Sequence, residues 1–208
     1  AFYLVLKERY WSAAIVMGLA LGTKWSAIYV LAALGLFLLI RDRKFLRTPI
    51  QFGVTPLLVY LASWTGWFLS NDGWSRNHSS NALASLIHYH REMLNFHTGL
   101  TTDHSYQASA WNWLVLGRPT SFFYATPNNC GSDSCSQEVL ALGTPILWWV
   151  GTISIAVVIG YWIKSLINHR VDSAANLVLL GVVAGYLPWF AMQQRTVFSF
   201  YAIIIEPF

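Results

Sequence analysis

Residues 95–124, NFHTGLTTDHSYQASAWNWLVLGRPTSFFY, gather aromatic faces, hydroxyls, amides, an Asp-His pair and an arginine in one stretch. Aromatic planes and hydrogen-bonding side chains suit a sugar, which has apolar C–H faces and many hydroxyls. A guanidinium suits a phosphate, which it grips with two parallel N–H groups. The competing reading is an interfacial aromatic segment that anchors a loop, with Arg118-Pro119 as a turn. Two further cations stand apart from it. Lys24 lies inside an apolar run, where a charge is expensive unless it snorkels, pairs or meets an ion. A helix break there would set it beside a helix start, a favourable place for an anion; a Lys capping a tight helical hairpin is the alternative. Arg195 follows Pro188-Trp189 and precedes Phe198, at the edge of another apolar run, where lipid phosphate is the natural partner.

Other chemistry is weaker. His88, His90, His97 and His104 invite a metal, but His88 and His90 point apart on a helix and His90 and His97 are two turns apart. Neither spacing makes a compact ligand pair and no carboxylate completes a set, so no metal is expected. Glu92 and Asp103 have no carboxylate partner in the aromatic segment, and no acid/base pair emerges. Asn77-His78-Ser79 matches a glycosylation sequon, a tripeptide common by chance. Cys130 and Cys135 lie in the polar stretch CGSDSC; thiols exposed outside a membrane oxidise, which favours a disulfide closing a small loop.

The elements that position these residues follow from composition. The chain is 55% hydrophobic and 11% charged, with a mean hydropathy of +0.45. Soluble domains carry about a quarter charged residues, so part of this apolar surface must face lipid. With no initiator Met and an end inside an apolar run, the chain reads as a piece of a longer protein. The apolar run 10–40 is broken at Gly22-Thr23-Lys24-Trp25-Ser26 and predicts two helical pieces meeting at Lys24. Further spans are expected at 51–70, 144–163 and 174–193, with another beginning near Phe198. The basic loop 41–47 and the cluster Lys164, His169, Arg170 both belong inside by the positive-inside bias. Parity then puts residues 71–143 outside, with Lys24 and Arg195. Leu83, Leu86, Ile87 and Leu94 recur at helical spacing, which predicts an amphipathic helix on the outer membrane surface. The net charge of +4 is split among short inter-span clusters rather than a patch, which excludes a nucleic-acid partner. The expected organisation is all-α: transmembrane helices over 1–70, an extracytoplasmic loop over 71–143 and C-terminal transmembrane helices over 144–208.

Three segments carry a resemblance to a family. GLALGTKWSAIY (18–29), the 95–124 stretch and LPW…QRTVFSFYAIIIEPF (187–208) resemble the protein O-mannosyltransferases, in the expected order and over nearly the whole chain. The actinobacterial branch is the nearest in look, with its short CxxxxC loop followed by LGTP and paired Trp, here Cys130, Cys135, residues 142–145 and Trp148-Trp149. The chain departs from the family's HxYxSxPW pattern by Ser105 after His104 and Ala110 before Trp111, where prolines are usual.

The resemblance implies a polytopic membrane glycosyltransferase of the C superfamily in the cell membrane, needing no cofactor. Its donor would be polyprenyl-phosphate mannose, and its acceptor Ser or Thr hydroxyls of translocating polypeptides, with the bilayer and the secretion machinery as further partners. The family's acidic base lies in an earlier external loop, so no catalytic residue is named here and the piece is expected to be inactive alone. The resemblance assigns the donor phosphate to Lys24, Arg195 and Arg118. It assigns the sugar or acceptor to His104, Tyr106, Gln107, Trp111 and Trp113. Rival readings are another lipid-phosphate-sugar-dependent glycosyltransferase, a transporter and a non-catalytic subunit. A transporter would place paired ionisable residues at mid-membrane depth, whereas these spans are nearly free of charge.

Overall fold

A computed structural model describes residues 1–128, 130–170 and 172–208 and divides into two compact units, Ala1–Leu100 and Thr101–Phe208. In the first unit, α1 (Phe2–Leu6) leads into α2 (Tyr10–Thr23) and α3 (Ala27–Asp42). The expected break falls at Lys24, whose extended backbone (φ −154°, ψ 126°) caps α2. Helix α3 ends on Arg43 in the left-handed region. The chain then stays helical through α4 (Arg47–Pro49), a π-turn (Ile50–Val54), α5 (Thr55–Ser63) and α6 (Thr65–Leu69). The π-turn widens the helix between Pro49 and Pro56, each of which removes a backbone donor from the ladder.

Small residues let α2 and α5 approach closely. Ala13, Ala14, Met17 and Gly18 form the buried face of α2. A Cβ on Gly18 would stand 2.6 Å from the Val59 Cβ and 2.8 Å from the Pro56 carbonyl oxygen. This is how helices associate in lipid, where packing rather than water expulsion drives contact. The predicted amphipathic helix is α7 (Ala82–Gly99), started by Asn81, whose side chain accepts the Leu83 and Ala84 N–H groups. Leu86 is buried, whereas Leu83, Ile87 and Leu94 are exposed on one face.

The second unit adds a two-stranded hairpin to a fold that is mostly helical, as expected. Strand β1 (Thr120–Ala125) pairs antiparallel with β2 (Gln137–Ala141), with an irregularity between Ser121 and Phe123. The turn of this hairpin carries the Cys130–Cys135 disulfide, as expected from the two thiols. Helix α8 (Pro145–Ile167) starts with Pro at its first position and runs 23 residues. That is about 34 Å at 1.5 Å per residue, enough to cross the ~30 Å hydrocarbon layer. None of its apolar span is buried within the protein. Helix α9 (Ser173–Tyr186) continues into a 3₁₀ helix (Leu187–Met192), and the two together are also long and apolar enough to cross. The Trp162 indole donates to the Asn176 side chain at 2.7 Å, tying α8 to α9.

Among the described residues these are the two helices that pass by length and composition; α2, at 14 residues, is shorter. The stretch expected to begin another span is instead a 3₁₀ helix (Ser199–Ile205). Its Ile204 and Ile205 lie against Gly185 of α9, and Phe208 lies against Gly181.

Candidate active site

The loop from Thr101 to Gly117 has little secondary structure beyond a short 3₁₀ turn (Ala110–Asn112). Its shape is held by hydrogen bonds to distant elements. The Ala108 N–H donates to the Val197 carbonyl at 2.9 Å, and the Thr196 hydroxyl donates to the Thr102 carbonyl. The Tyr186 hydroxyl reaches the Ala110 carbonyl at 2.7 Å. From α8, Trp148 donates to the Trp113 carbonyl at 2.8 Å, Thr152 to that of Leu114 at 2.9 Å and Trp149 to that of Val115 at 3.3 Å. The Ala110 and Trp113 carbonyls also accept the Trp113 and Leu116 N–H groups, each at 3.2 Å, so these side chains supplement the few backbone bonds that the loop makes. Trp148, Trp149, Thr152 and Tyr186 were not among the sequence-derived candidates for the site. The paired Trp was the visible signal, but its carbonyl partners are 34 and 35 positions away.

At the start of the loop, His104, Tyr106 and Gln107 form one local turn. The Tyr106 N–H donates to His104 Nδ1 at 3.1 Å, and the His104 N–H donates to Gln107 Oε1 at 3.4 Å. Gln107 Nε2 donates in turn to Asp103 at 3.4 Å. His104 is exposed and meets Phe198 edge to face, with ring centroids 5.1 Å apart. Arg118 is exposed and donates to the Ser105 carbonyl, which binds the far end of the loop back onto this turn.

Arg195 precedes the Thr196 and Val197 anchors, and its guanidinium lies over the rings of Trp189 and Tyr201, 6.0 and 5.9 Å from their centroids. Such aromatic faces attract a cation through the ring quadrupole. The structure thus brings His104, Tyr106, Gln107, Arg118 and the Arg195 segment onto one loop system.

The two tryptophans of WNW divide. Trp111 is 68% exposed and meets Phe190 in a T-shaped contact, with ring centroids 4.5 Å apart. Trp113 is 0% exposed, with its indole N–H donating to the Ala108 carbonyl at 2.8 Å. No face of Trp113 reaches the surface. It is the centre of the unit's core, with Trp189, Val197, Ala202 and Ile205.

In the first unit, Lys24 is exposed at the corner between α2 and α3. Its neighbour Trp25 donates its indole N–H to the Tyr60 hydroxyl at 2.9 Å. His90 turns inward to Tyr60 and Trp25, whereas His88 stacks on His78 at 3.5 Å and approaches Glu92 at 3.2 Å. Among the described residues no cluster of His, Cys, Asp and Glu has the arrangement of a metal site.

Two helices long and apolar enough to cross a bilayer, beside a loop of cationic and aromatic groups, are the features of a membrane protein. Comparison with known proteins gives the family. Residues 82–203 match the family model described as the C-terminal four TMM region of protein-O-mannosyltransferase, and the chain belongs to that family. It is 32% identical over 98% of its length to a polyprenol-phosphate-mannose--protein mannosyltransferase of Mycolicibacterium smegmatis, covering 46% of that protein. The proteins of the same description in Corynebacterium glutamicum and Mycobacterium tuberculosis are each 29% identical, over 96% of this chain and 45% of theirs. The chain therefore spans about half the length of the curated relatives it matches. No solved structure matches it.

Proposed function

We propose that this chain is the C-terminal part of an enzyme that transfers mannose from polyprenyl-phosphate mannose to Ser or Thr hydroxyls of proteins leaving the cell. The observation that carries the reading is the match of residues 82–203 to the mannosyltransferase family, because that segment contains every candidate ligand residue except Lys24. The chain crosses the membrane several times, residues 71–143 lie outside, and the exposed Leu83, Ile87 and Leu94 of α7 rest in the outer interface. Translocating polypeptides reach it from the secretion machinery.

In the proposed reaction the acceptor hydroxyl attacks the anomeric carbon as the bond from that carbon to the phosphate oxygen breaks. The configuration inverts, and the hydroxyl proton passes to a carboxylate base that none of this chain's residues is assigned to supply. Charge grows on the departing lipid phosphate, so fixed positive groups lower the barrier. Arg195 and Arg118 in the second unit and Lys24 in the first are each proposed as such groups. His104, Tyr106, Gln107 and the face of Trp111 contact the sugar or the acceptor, and the buried Trp113 holds them in place from beneath.

The test is to incubate membranes containing the full-length protein with labelled polyprenyl-phosphate mannose and a Ser/Thr acceptor peptide. Label in the peptide is the expected result. Transfer from a different lipid-phosphate sugar, with none from the mannose donor, would replace this reading with that of a related glycosyltransferase.

A further inference from the structure

The corner that carries Lys24 is held by a chain of hydrogen bonds that begins on α7. His90 Nδ1 lies 2.7 Å from the carbonyl oxygen of Leu86, one turn earlier on the same helix. A carbonyl only accepts, so Nδ1 bears the proton, and in the neutral ring Nε2 presents a lone pair. The Tyr60 hydroxyl, 2.7 Å from Nε2, is then the donor in that contact. Its oxygen retains lone pairs, one of which accepts the Trp25 indole N–H. Every proton points the same way, from Trp25 to Tyr60 to His90 to Leu86. The rings are also wedged together: Trp25 stacks on His90 at 5.4 Å, and Trp64 stands 4.9 Å from the same imidazole.

Three polar side chains are a costly way to join helices when apolar packing alone would serve. What directed bonds add is a fixed rotational setting for the Trp25 side chain. Trp25 directly follows Lys24, whose own backbone is pinned on both sides: its N–H donates to Ala20 at 2.9 Å and its carbonyl accepts from Ala27 at 3.0 Å. With the backbone fixed by two helix ends and the next side chain fixed by the relay, the direction in which the Lys24 side chain leaves the corner is set.

We propose that Tyr60 and His90 are positioning residues that act through Trp25 to aim the Lys24 ammonium at an anionic, lipid-linked phosphate. The proposal rests on the mannosyltransferase reading for the identity of that anion, and on the relay alone for the geometry. Tyr60→Phe removes the one hydroxyl that makes both central bonds and keeps the ring that packs on Trp64 and His90.

In the full-length protein, Tyr60→Phe should lower kcat about tenfold, the scale of a slightly misplaced charge-stabilising group. The KM for acceptor peptide and the amount of protein in the membrane should stay as they were. His90→Gln, whose amide oxygen still accepts from Tyr60, should recover most of what His90→Ala loses. The deciding measurement is the double variant. If Tyr60 works through Lys24, adding Tyr60→Phe to Lys24→Ala costs nothing further, whereas multiplied losses would show a general structural role and overturn the proposal. A second readout needs no activity. Cys130 and Cys135 are paired, so Lys24→Cys adds a free thiol that maleimide can report in detergent-solubilised protein. Tyr60→Phe should change its labelling rate at least about threefold, the size of effect expected when a surface group is released from one fixed direction. An unchanged rate overturns the strut even in an active transferase. A changed rate in a protein that transfers no mannose keeps the strut and removes the functional reading.

Discussion

The indole N–H of Trp148 donates to the carbonyl oxygen of Trp113 at 2.8 Å, so the long apolar helix α8 carries the backbone of the candidate site directly. Trp113 has no exposed surface, and its carbonyl also accepts the Leu116 N–H at 3.2 Å. Trp148→Phe keeps an aromatic ring and deletes the donor. The expected cost is about 0.5–1.5 kcal/mol, the net worth of one hydrogen bond when the acceptor keeps a second partner. Thermal unfolding in detergent measures it, and hydrogen exchange should rise at residues 110–117 before it rises elsewhere in the unit.

The Arg195 guanidinium lies over the adjoining rings of Trp189 and Tyr201, a contact that a planar guanidinium makes better than an ammonium. Arg195→Lys keeps the charge and should reduce mannose transfer about tenfold. Arg195→Ala removes the charge and should reduce it by roughly a hundredfold, as loss of a transition-state donor does. Membrane insertion, followed by immunoblot of washed membranes, should be unaffected in both. Equal loss of insertion and transfer would make Arg195 a folding residue.

Two glycines in apolar helices should respond in opposite ways. At Gly18 a methyl group meets the Val59 Cβ and the Pro56 carbonyl at under 3 Å, and α2 must move away from α5. Gly18→Ala is expected to cost about 1–3 kcal/mol from overpacking. At Gly160 in α8 nothing lies within 4 Å of an added Cβ. Gly160→Ala should be neutral or stabilising by up to about 1 kcal/mol, the helix-propensity difference. Paired thermal-shift measurements on the two variants distinguish packing from propensity.

What the sequence revealed and what it hid follow one division. The break at Lys24 was legible because a lone cation between two apolar runs has few places to go, and α7 because Leu83, Leu86, Ile87 and Leu94 keep a helical period. Both signals are local. The β1–β2 hairpin was missed because Phe122, Phe123 and Tyr124 are consecutive exposed aromatics that show no alternation of buried and exposed positions. Strand pairing there depends on Val139 and Leu140, on the far side of the disulfide loop. Residues 199–205 resemble the start of a span in hydropathy, but packing of Ile204 and Ile205 against Gly185 accompanies a tight 3₁₀ course instead. The site was half legible for the same reason. Residue types named the loop, while the fate of each tryptophan depended on carbonyls and rings more than 30 positions away.

Asp172 caps α9, and the Ala175 N–H above all, then the Tyr161 hydroxyl and the Ala174 N–H, hold its carboxyl below the ordinary value of 3.8. A carboxyl lowered in the folded state binds protons more readily when unfolded, so its stabilising contribution is complete above that ordinary value. It is lost as pH falls through the folded value. The melting temperature should therefore decline below about pH 4 more steeply in the parent protein than in Asp172→Asn. The amide still caps the helix but does not titrate. Parallel curves for the two proteins would remove Asp172 from the acid response.

The hairpin disulfide offers the sharpest test of orientation. Cys130 and Cys135 are joined in a polar turn, and such a bond persists only on the oxidising side of the membrane. On intact cells, a membrane-impermeant maleimide should label neither residue at first. A brief exposure to an impermeant phosphine reductant should then expose both thiols to the same reagent without breaking the membrane. If the turn faced the cytosol, the pair would already be reduced there, and labelling would require permeabilisation but no reductant. The two patterns are mutually exclusive. The cytosolic one would place His104, Arg118 and the rest of the 71–143 loop on the wrong side for a polypeptide leaving the cell, and the proposed transfer could not take place there.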